Sequence, residues 1–262
     1  MNLKKILQRY AFSKSIDNDK SQFFHNFKLE LSSTVYDLVN GEVKYGIFKG
    51  MKIDSDATWN KSDQGGMLLG LYEQEILYEL ESNRYELLIN FGAGDGYYAV
   101  GALYSKIAKR VFAFEQNEKS QEVIRRNASI NSIDKGLSVL GEAHNRLYEN
   151  LGLTSEELSK TIVLCDIEGA EFDLFTSPMF EYFALSKIII EIHDFIPKGK
   201  EKTLQLIVNS KATHTYREIR TSSRDLSTIK ELSHLSDDER WLVCSEGRPT
   251  LMRWLVFEPK NL

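Results

Sequence analysis

The sequence predicts an α/β fold in which helices cover both faces of a mainly parallel sheet. From residue 85 onward, short apolar runs of strand length alternate with segments of helical periodicity. The first run, Tyr85–Phe91, stops at Gly92, Gly94 and Gly96, and a helical pattern follows these glycines. A strand that turns on glycines into a helix is typical of a nucleotide-binding sheet, because glycine allows a positive φ and a close approach of backbone to ligand.

The elements follow in order from apolar runs rich in β-branched and aromatic residues and from helical spacing. The predicted strands are Tyr85–Phe91, Arg110–Glu115, Leu137–Leu140, Thr161–Asp166, Lys187–Ile192, His214–Ile219 and Leu251–Glu258. Predicted helices run from the glycine turn to Ala108, over Glu118–Asn131 and over Glu201–Ser210. Asn117 is the expected N-cap of the second helix, whose inner face would carry Val123, Ile124 and Ile130.

We divide the chain into a helical and hairpin extension, residues 1–80, packed on the core, and a nucleotide-binding domain, residues 81–262, with a polar insertion near 221–248. The spacing of Leu68–Leu80 predicts one helix on the sheet edge, and Tyr45–Met51 predicts a turn or short hairpin. The first forty residues are expected to be helical. The polar stretch Thr221–Arg240 is either a surface insertion or a lid over the entrance of a substrate-binding site.

Composition narrows the class of protein. The chain has 262 residues, and its 33 basic and 38 acidic side chains give a formal charge of −5. Nonspecific binding of nucleic acid depends on clustered basic residues, and the sequence has no basic block, so nucleic acid is an unlikely partner. Neither disulfide nor zinc spacing is present, so we read Cys165 and Cys244 as reduced thiols of a cytoplasmic protein. The sequence predicts neither a secretory signal nor a membrane span.

The glycine spacing distinguishes between two classes of cofactor. A dinucleotide fingerprint requires G-x-G-x-x-G, but its third position falls on Tyr97 when counted from Gly92. Counted from Gly94 it falls on Ala99, and a motif that begins at Gly94 would start too far from the end of the strand. An NAD-dependent enzyme is therefore disfavoured. Glu115 lies about twenty residues beyond the turn, where such sheets place a carboxylate that binds ribose hydroxyls.

Several segments together resemble the FkbM-like class I methyltransferases over about residues 68–195. They are INFGAGDGYY, VFAFEQN, a helix carrying Asn127 and Asn131, DIEGAE at residues 166–171 and EIH at residues 191–193. The resemblance implies a Rossmann-like seven-stranded sheet, S-adenosyl-L-methionine (SAM) as methyl donor and a hydroxyl acceptor on a small molecule or saccharide. One departure is Asn90, which stands where the family usually has an acid, and Glu73 or Glu75 is a candidate to compensate for the missing charge.

The resemblance also implies which residues bind the cofactor. The glycine turn would line the methionine and ribose portion, Glu115 would hold the ribose, and Glu142 with Ala143 would recognise adenine. The full expected set is Glu73, Asn90, Gly92, Ala93, Gly94, Gly96, Glu115, Gln116, Glu142, Ala143 and Asp166. Each role has a structural alternative, such as a plain turn for the glycines or a solvated loop acid for Glu142.

Asp166, Glu168 and His193 are the expected catalytic residues. Methyl transfer to oxygen is an in-line displacement, so the protein aligns the two reactants and helps to remove a proton. His193 is the preferred base because imidazole titrates near neutral pH, although Glu168 is also interpretable as a helix-entry acid and His193 as a structural histidine. We predict no metal ligands, and the alternative is a divalent cation held by Asp166, His193 and Asp194.

The sequence thus predicts a SAM-dependent methyltransferase, directed to oxygen, with a small-molecule or saccharide acceptor. A noncatalytic SAM-binding or scaffold protein of a biosynthetic complex is the alternative, and it gains weight if Asn90 marks a site that has decayed.

Overall fold

The sheet of this protein has seven strands in the order β3-β2-β1-β4-β5-β7-β6. A computed structural model describes residues 22–59, 61–133, 135–248 and 250–260. The strands are β1 Tyr85–Phe91, β2 Ala108–Phe114, β3 Leu137–Leu140, β4 Thr161–Cys165, β5 Lys187–Glu191, β6 His214–Arg220 and β7 Arg253–Pro259. Only β7 runs against its neighbours, so the sheet is mainly parallel, and the predicted Rossmann-like fold class is confirmed.

Helices flank this sheet on both faces. They are α1 at residues 22–39, α2 Gln64–Leu68, α3 Gln74–Glu81, α4 Tyr97–Tyr104, α5 Glu118–Ile130, α6 Tyr148–Leu151, α7 Ser155–Ser159, α8 Glu171–Leu174, α9 Ser177–Tyr182, α10 Gly199–Ser210 and α11 Asp237–Cys244. Short 3-10 helices cover Lys61–Asp63 and Lys230–Leu232. Each face of the sheet has its own apolar core.

The burial of each strand follows its place in the sheet. The central strands β1, β4 and β5 are almost continuously buried, as expected for parallel strands covered on both faces, whereas the edge strands β3 and β6 are largely exposed or half-buried. Predicted β1 and β3 agree residue for residue with the structure, and the other strands differ by at most two residues at either end.

The predicted start of α5 is correct, but the predictions for the last turn of α5 and for the end of α4 are wrong. The side chain of Asn117 accepts hydrogen bonds from the Lys119 and Ser120 backbone amides, which confirms it as the N-cap. Ile130 is 46% exposed, so its placement on the inner face is wrong: periodicity puts it there, but the last turn is not covered. The helix expected to reach Ala108 ends at residue 104, because Lys106 adopts a left-handed conformation and Ala108 begins β2.

The single helix expected over Leu68–Leu80 is a larger error, because two helices with a break at residues 69–73 occupy this segment. Gly70 and Glu73 both have positive φ, and a Cβ on Gly70 would lie 2.3 Å from the Tyr45 carbonyl oxygen, so close backbone contact decides the break. The buried side chains of α3 belong to one of the two apolar cores.

Other expectations concern the N-terminal part and the cysteines. An antiparallel bridge joins Glu42 to Lys52, which confirms the short hairpin. The helical expectation for the first forty residues is met over 22–39, while residues 1–21 lie outside the described residues. Cys165 and Cys244 are buried free thiols.

Within the described ranges, no helix combines the length and the apolar character needed to cross a bilayer.

Candidate functional site

The glycine turn joins β1 to α4 and brings the ends of three strands together. Gly92, Gly94 and Gly96 all have positive φ, at 75°, 52° and 89°. A Cβ on Gly92 would lie 1.7 Å from the Asp166 carbonyl oxygen, so only glycine lets the end of β1 pass this close to the end of β4. The Gly94 amide donates to Oε2 of Glu115 at 2.9 Å, which ties the turn to the end of β2.

A first cavity lies over this turn and is covered by the segment before residue 60. The Asp95 carboxylate accepts hydrogen bonds from the Thr58 and Trp59 backbone amides at 2.8 Å, and it thereby holds that segment on the turn. Asn127 donates to the Asp95 carbonyl oxygen at 2.8 Å and lines the cavity with Tyr98. The predicted residues Gly92, Ala93, Gly94 and Gly96 all line this cavity.

A second cavity, of about 140 Å³, lies on the other side of the turn. Seven of the predicted cofactor residues meet in its wall, namely Gly92, Gly94, Glu115, Gln116, Glu142, Ala143 and Asp166. The two oxygens of Glu115 accept hydrogen bonds from the amides of Gly94 and Asn117. A carboxylate oxygen carries more than one lone pair, so Glu115 retains acceptor capacity towards the cavity.

A third and larger cavity, of about 550 Å³, lies beside the first two. Its wall contains the predicted Glu73, Asp166, Glu168 and His193, and residues 245–248 from the end of the polar insertion complete it. Trp59 and Asp166 line all three cavities. The three spaces therefore adjoin one another where β4 ends.

His193 is the centre of a cluster of acids in the third cavity. Its side chain is 3% exposed, and Nδ1 lies 3.1 Å from Oε1 of Glu171, which is fully buried. The same oxygen accepts the His193 backbone amide at 3.0 Å, while the other oxygen accepts the Gly169 amide at 2.8 Å. Because Glu171 accepts at Nδ1, the hydrogen on that nitrogen is fixed and Nε2 is left facing the cavity.

Three carboxylates surround Nε2 of His193. The distances are 3.5 Å to Oε2 of Glu168, 3.6 Å to Oδ1 of Asp166 and 3.6 Å to Oε2 of Glu191. Burial lowers the pKa of His193, but the hydrogen bond to Glu171 and the surrounding negative charges more than offset it, so the net shift is upward. Burial raises the pKa of Asp166, against the lowering effect of His193.

Arg248 contacts several acids of this cavity. It forms ion pairs with Glu73, Glu191 and Glu246, and its side chain is 14% exposed. Burial raises the pKa of Glu73 to about 8, although Arg248 acts in the opposite direction, and the Tyr98 hydroxyl donates to the second oxygen of Glu73 at 2.5 Å. A buried arginine with three carboxylates fixes the geometry of all of them.

Some predicted residues lie elsewhere. Asn90 is buried in β1, where its Oδ1 meets no hydrogen-bond partner within the described part of the chain, and it lines none of these cavities. Glu75 is directed to the insertion, where it pairs with Arg224 at 2.6 Å. Asp194 forms an ion pair with Arg253 at 2.5 Å. The alternative prediction of a cation held by Asp166, His193 and Asp194 is therefore wrong in one residue, because Glu191 and not Asp194 lies beside the other two.

Sequence reasoning missed Trp59, Glu171, Glu191 and Arg248. Glu171 and Glu191 are acids within the segments DIEGAE and EIH, which also contain the predicted Asp166, Glu168 and His193. Their presence in these segments was the sequence signal that could have identified them. Trp59 and Arg248 lie in segments without periodicity, and only the folded chain brings them to the strand ends.

No protein-family model matches the sequence, and no curated protein matches it either. Among solved structures, a candidate O-methyltransferase from Klebsiella pneumoniae has 11% identity and a TM-score of 0.48, with 94% of this chain and 97% of that chain covered. TYW2 of M. jannaschii in complex with AdoMet has 15% identity and a TM-score of 0.46, with coverages of 80% and 82%.

The tRNA methyltransferase TrmK of B. subtilis has 10% identity and a TM-score of 0.45, with 70% of this chain covered. This chain spans 64% of the length of that enzyme. The names of these neighbours therefore include a tRNA enzyme as well as a candidate O-methyltransferase.

Proposed function

We propose that this protein is a SAM-dependent methyltransferase of the FkbM-like kind, and that it methylates a hydroxyl group of a small molecule or saccharide. The observation that carries the proposal is the meeting of the three cavities at Asp166. Two of them flank a glycine turn at the carboxyl ends of parallel strands, which is where such sheets bind nucleotides, and the third offers an adjoining space for an acceptor.

The residues present fit the cofactor. Gly92, Gly94 and Gly96, which carry no side chains, would let the turn hold the methionine and ribose portion, and Glu115 has lone pairs left for the ribose hydroxyls. Glu142 and Ala143 border the second cavity on the side where adenine would lie. Glu73 is the acid that would take the place of the one that Asn90 replaces, and its carboxyl group accepts hydrogen bonds from Tyr98 and Arg248 in the wall of the third cavity. SAM supplies an electrophilic methyl group when it is bound.

The chain's own residues would align the acceptor and take its proton. A hydroxyl in the third cavity lies beside Asp166, Glu168 and Nε2 of His193, and transfer of a methyl group to its oxygen releases one proton. His193 is the base in this scheme because Glu171 holds its Nδ1 and leaves Nε2 towards the cavity. Glu171 is a positioning residue.

The charge of the third cavity supports an acceptor other than nucleic acid. Six carboxylates line it, those of Asp63, Glu73, Asp166, Glu168, Glu191 and Glu246. The lysine and the arginine in the same wall, Lys28 and Arg248, are already paired with some of these acids. A phosphate backbone would meet repulsion there.

The test is calorimetric titration with S-adenosylhomocysteine, with NAD titrated in parallel. Micromolar binding of S-adenosylhomocysteine alone supports the cofactor class and opens an acceptor screen with labelled SAM. With an acceptor in hand, His193→Ala is expected to lower turnover far more than SAM affinity. Binding of NAD alone would contradict the proposal. Binding of S-adenosylhomocysteine without turnover on any hydroxyl acceptor would favour the noncatalytic scaffold.

A further inference from the structure

The acids around His193 have the arrangement of a metal site. Oδ1 of Asp166, Oε2 of Glu191 and Nε2 of His193 lie within 4.8 Å of one another. The two oxygens are each 3.6 Å from Nε2, which is longer than an ordinary N–H···O hydrogen bond. The side chain of His193 is 3% exposed, so this nitrogen points into a cluster of acids without donating a hydrogen bond of normal length to them.

These separations are those expected between ligands of a common ion. Metal–ligand bonds of about 2.0–2.2 Å in a tetrahedral site place neighbouring ligand atoms about 3.3–3.6 Å apart. Direct hydrogen bonding would instead have drawn one carboxylate to about 2.7–2.9 Å from Nε2. Oδ1 of Asp166 is buried and has no hydrogen-bond partner among the residues that the structure describes, so it is also available to bind an ion.

The groups behind these three atoms hold them in place. Glu171 accepts from the Nδ1 side of His193 at 3.1 Å, as the outer carboxylate of a metal-bound histidine does. Arg248 pairs with Oε1 of Glu191, and it is the other oxygen, Oε2, that faces His193. The outer contacts thus orient two of the three candidate ligands towards one point.

The local charge is also suited to a cation. Asp166, Glu168 and Glu191 face Nε2, and Arg248 is the cation paired with one of them. One imidazole with two carboxylates combines a nitrogen donor with oxygen donors, which suits Mn²⁺ or Zn²⁺ better than Ca²⁺, an ion that takes oxygen ligands.

We propose that Asp166, Glu191 and His193 bind a divalent transition-metal ion in the acceptor cavity. The role of the ion rests on the proposed methyltransferase function: a hydroxyl that reaches the ion has a lowered pKa, which eases loss of its proton. Nε2 of His193 is then a ligand, and Glu168, whose side chain is 59% exposed on the same rim, takes the proton. In this metal-bound form Glu168 therefore replaces His193 as the base of the proposed function.

Direct metal binding tests the proposal without any acceptor. Tag-free protein is dialysed against a chelator and titrated calorimetrically with Mn²⁺ and with Zn²⁺. One site per chain is expected for the wild type. His193→Gln and Asp166→Asn should weaken binding more than about tenfold, and Glu171→Gln by about 10–100-fold. Asp194→Asn is the matched control, since this neighbouring acid pairs with Arg253 and should leave affinity unchanged.

The outcomes separate this inference from the proposed function. Thermal unfolding of each variant shows whether it folds, and S-adenosylhomocysteine is titrated into the same samples. Absence of a metal site in folded wild-type protein that binds S-adenosylhomocysteine overturns the metal proposal alone. Metal binding that is lost in His193→Gln and Asp166→Asn but kept in Asp194→Asn upholds it, even if S-adenosylhomocysteine does not bind. Equal metal affinity in the wild type and in His193→Gln would also overturn it.

Discussion

Oε1 of Glu171 accepts both the backbone amide of His193, at 3.0 Å, and the Nδ1 hydrogen of its ring, at 3.1 Å. The acid is fully buried, and its other oxygen accepts the Gly169 amide at 2.8 Å. One carboxylate thus connects the loop after β4 to the end of β5 and fixes the direction in which the imidazole faces.

Replacing Glu171 with Gln should lower the pKa of His193. The hydrogen bond to Glu171 and its negative charge both favour the protonated imidazole, and an amide removes the charge. NMR titration of the histidine ring protons in chelator-treated protein measures the change. We expect His193 to titrate above 6.5 in the wild type and at lower pH in the variant. His214, whose pKa burial lowers, is the internal reference and should not move.

Gly94→Val should abolish S-adenosylhomocysteine binding while the fold persists. A Cβ on Gly94 would lie 3.2 Å from Trp59, within the first cavity, so the branched side chain fills the space expected for the methionine portion. The matched control is Gly152→Val: its φ of 58° is close to the 52° of Gly94, but a Cβ there has no atom of the described residues within 4 Å. Calorimetry and thermal unfolding are compared, and equal loss of binding in both variants would count against the assignment.

Arg248→Met should destabilise the protein strongly. Removing this cation leaves Glu73, Glu191 and Glu246 without their common partner in a buried setting, at a cost of about 3–5 kcal/mol in the free energy of unfolding. Arg146→Met is the control, because its pair with Glu149 is exposed to solvent and its loss should leave stability almost unchanged. Urea unfolding measures both, and a small effect at Arg248 would argue against the buried network.

Glu73→Gln should flatten the dependence of stability on pH. The pKa of Glu73 is raised from 4.5 to about 8 by burial, against the effect of Arg248, so the folded protein holds this proton more tightly than the unfolded chain does. Stability contributed by the protonated acid is therefore lost as pH rises from about 4.5 to about 8. The comparison is urea unfolding across this range in the wild type, Glu73→Gln and the exposed control Glu149→Gln. The same slope in all three would contradict the pKa shift.

The amino-acid sequence is enough to predict the sheet and the glycine turn. The strands and the Asn117 cap are predictable because each depends on residues that are close together in the sequence. Apolar runs indicate the strands, and the side chain of Asn117 indicates the start of a helix. The ends of parallel strands share one edge, so the meeting of Gly92, Glu115 and Asp166 also followed from the order of the elements.

Tertiary structure alone decided the acid and arginine cluster. Glu73, Glu191 and Arg248 come from three distant segments, and their contacts depend on the break at residues 69–73 and on the course of an insertion that has no periodic pattern. The break itself results from the approach of Gly70 to the Tyr45 carbonyl, which the helical spacing of Leu68–Leu80 does not reveal. Local patterns encode local structure, whereas the packing of distant segments fixes which charges are buried together.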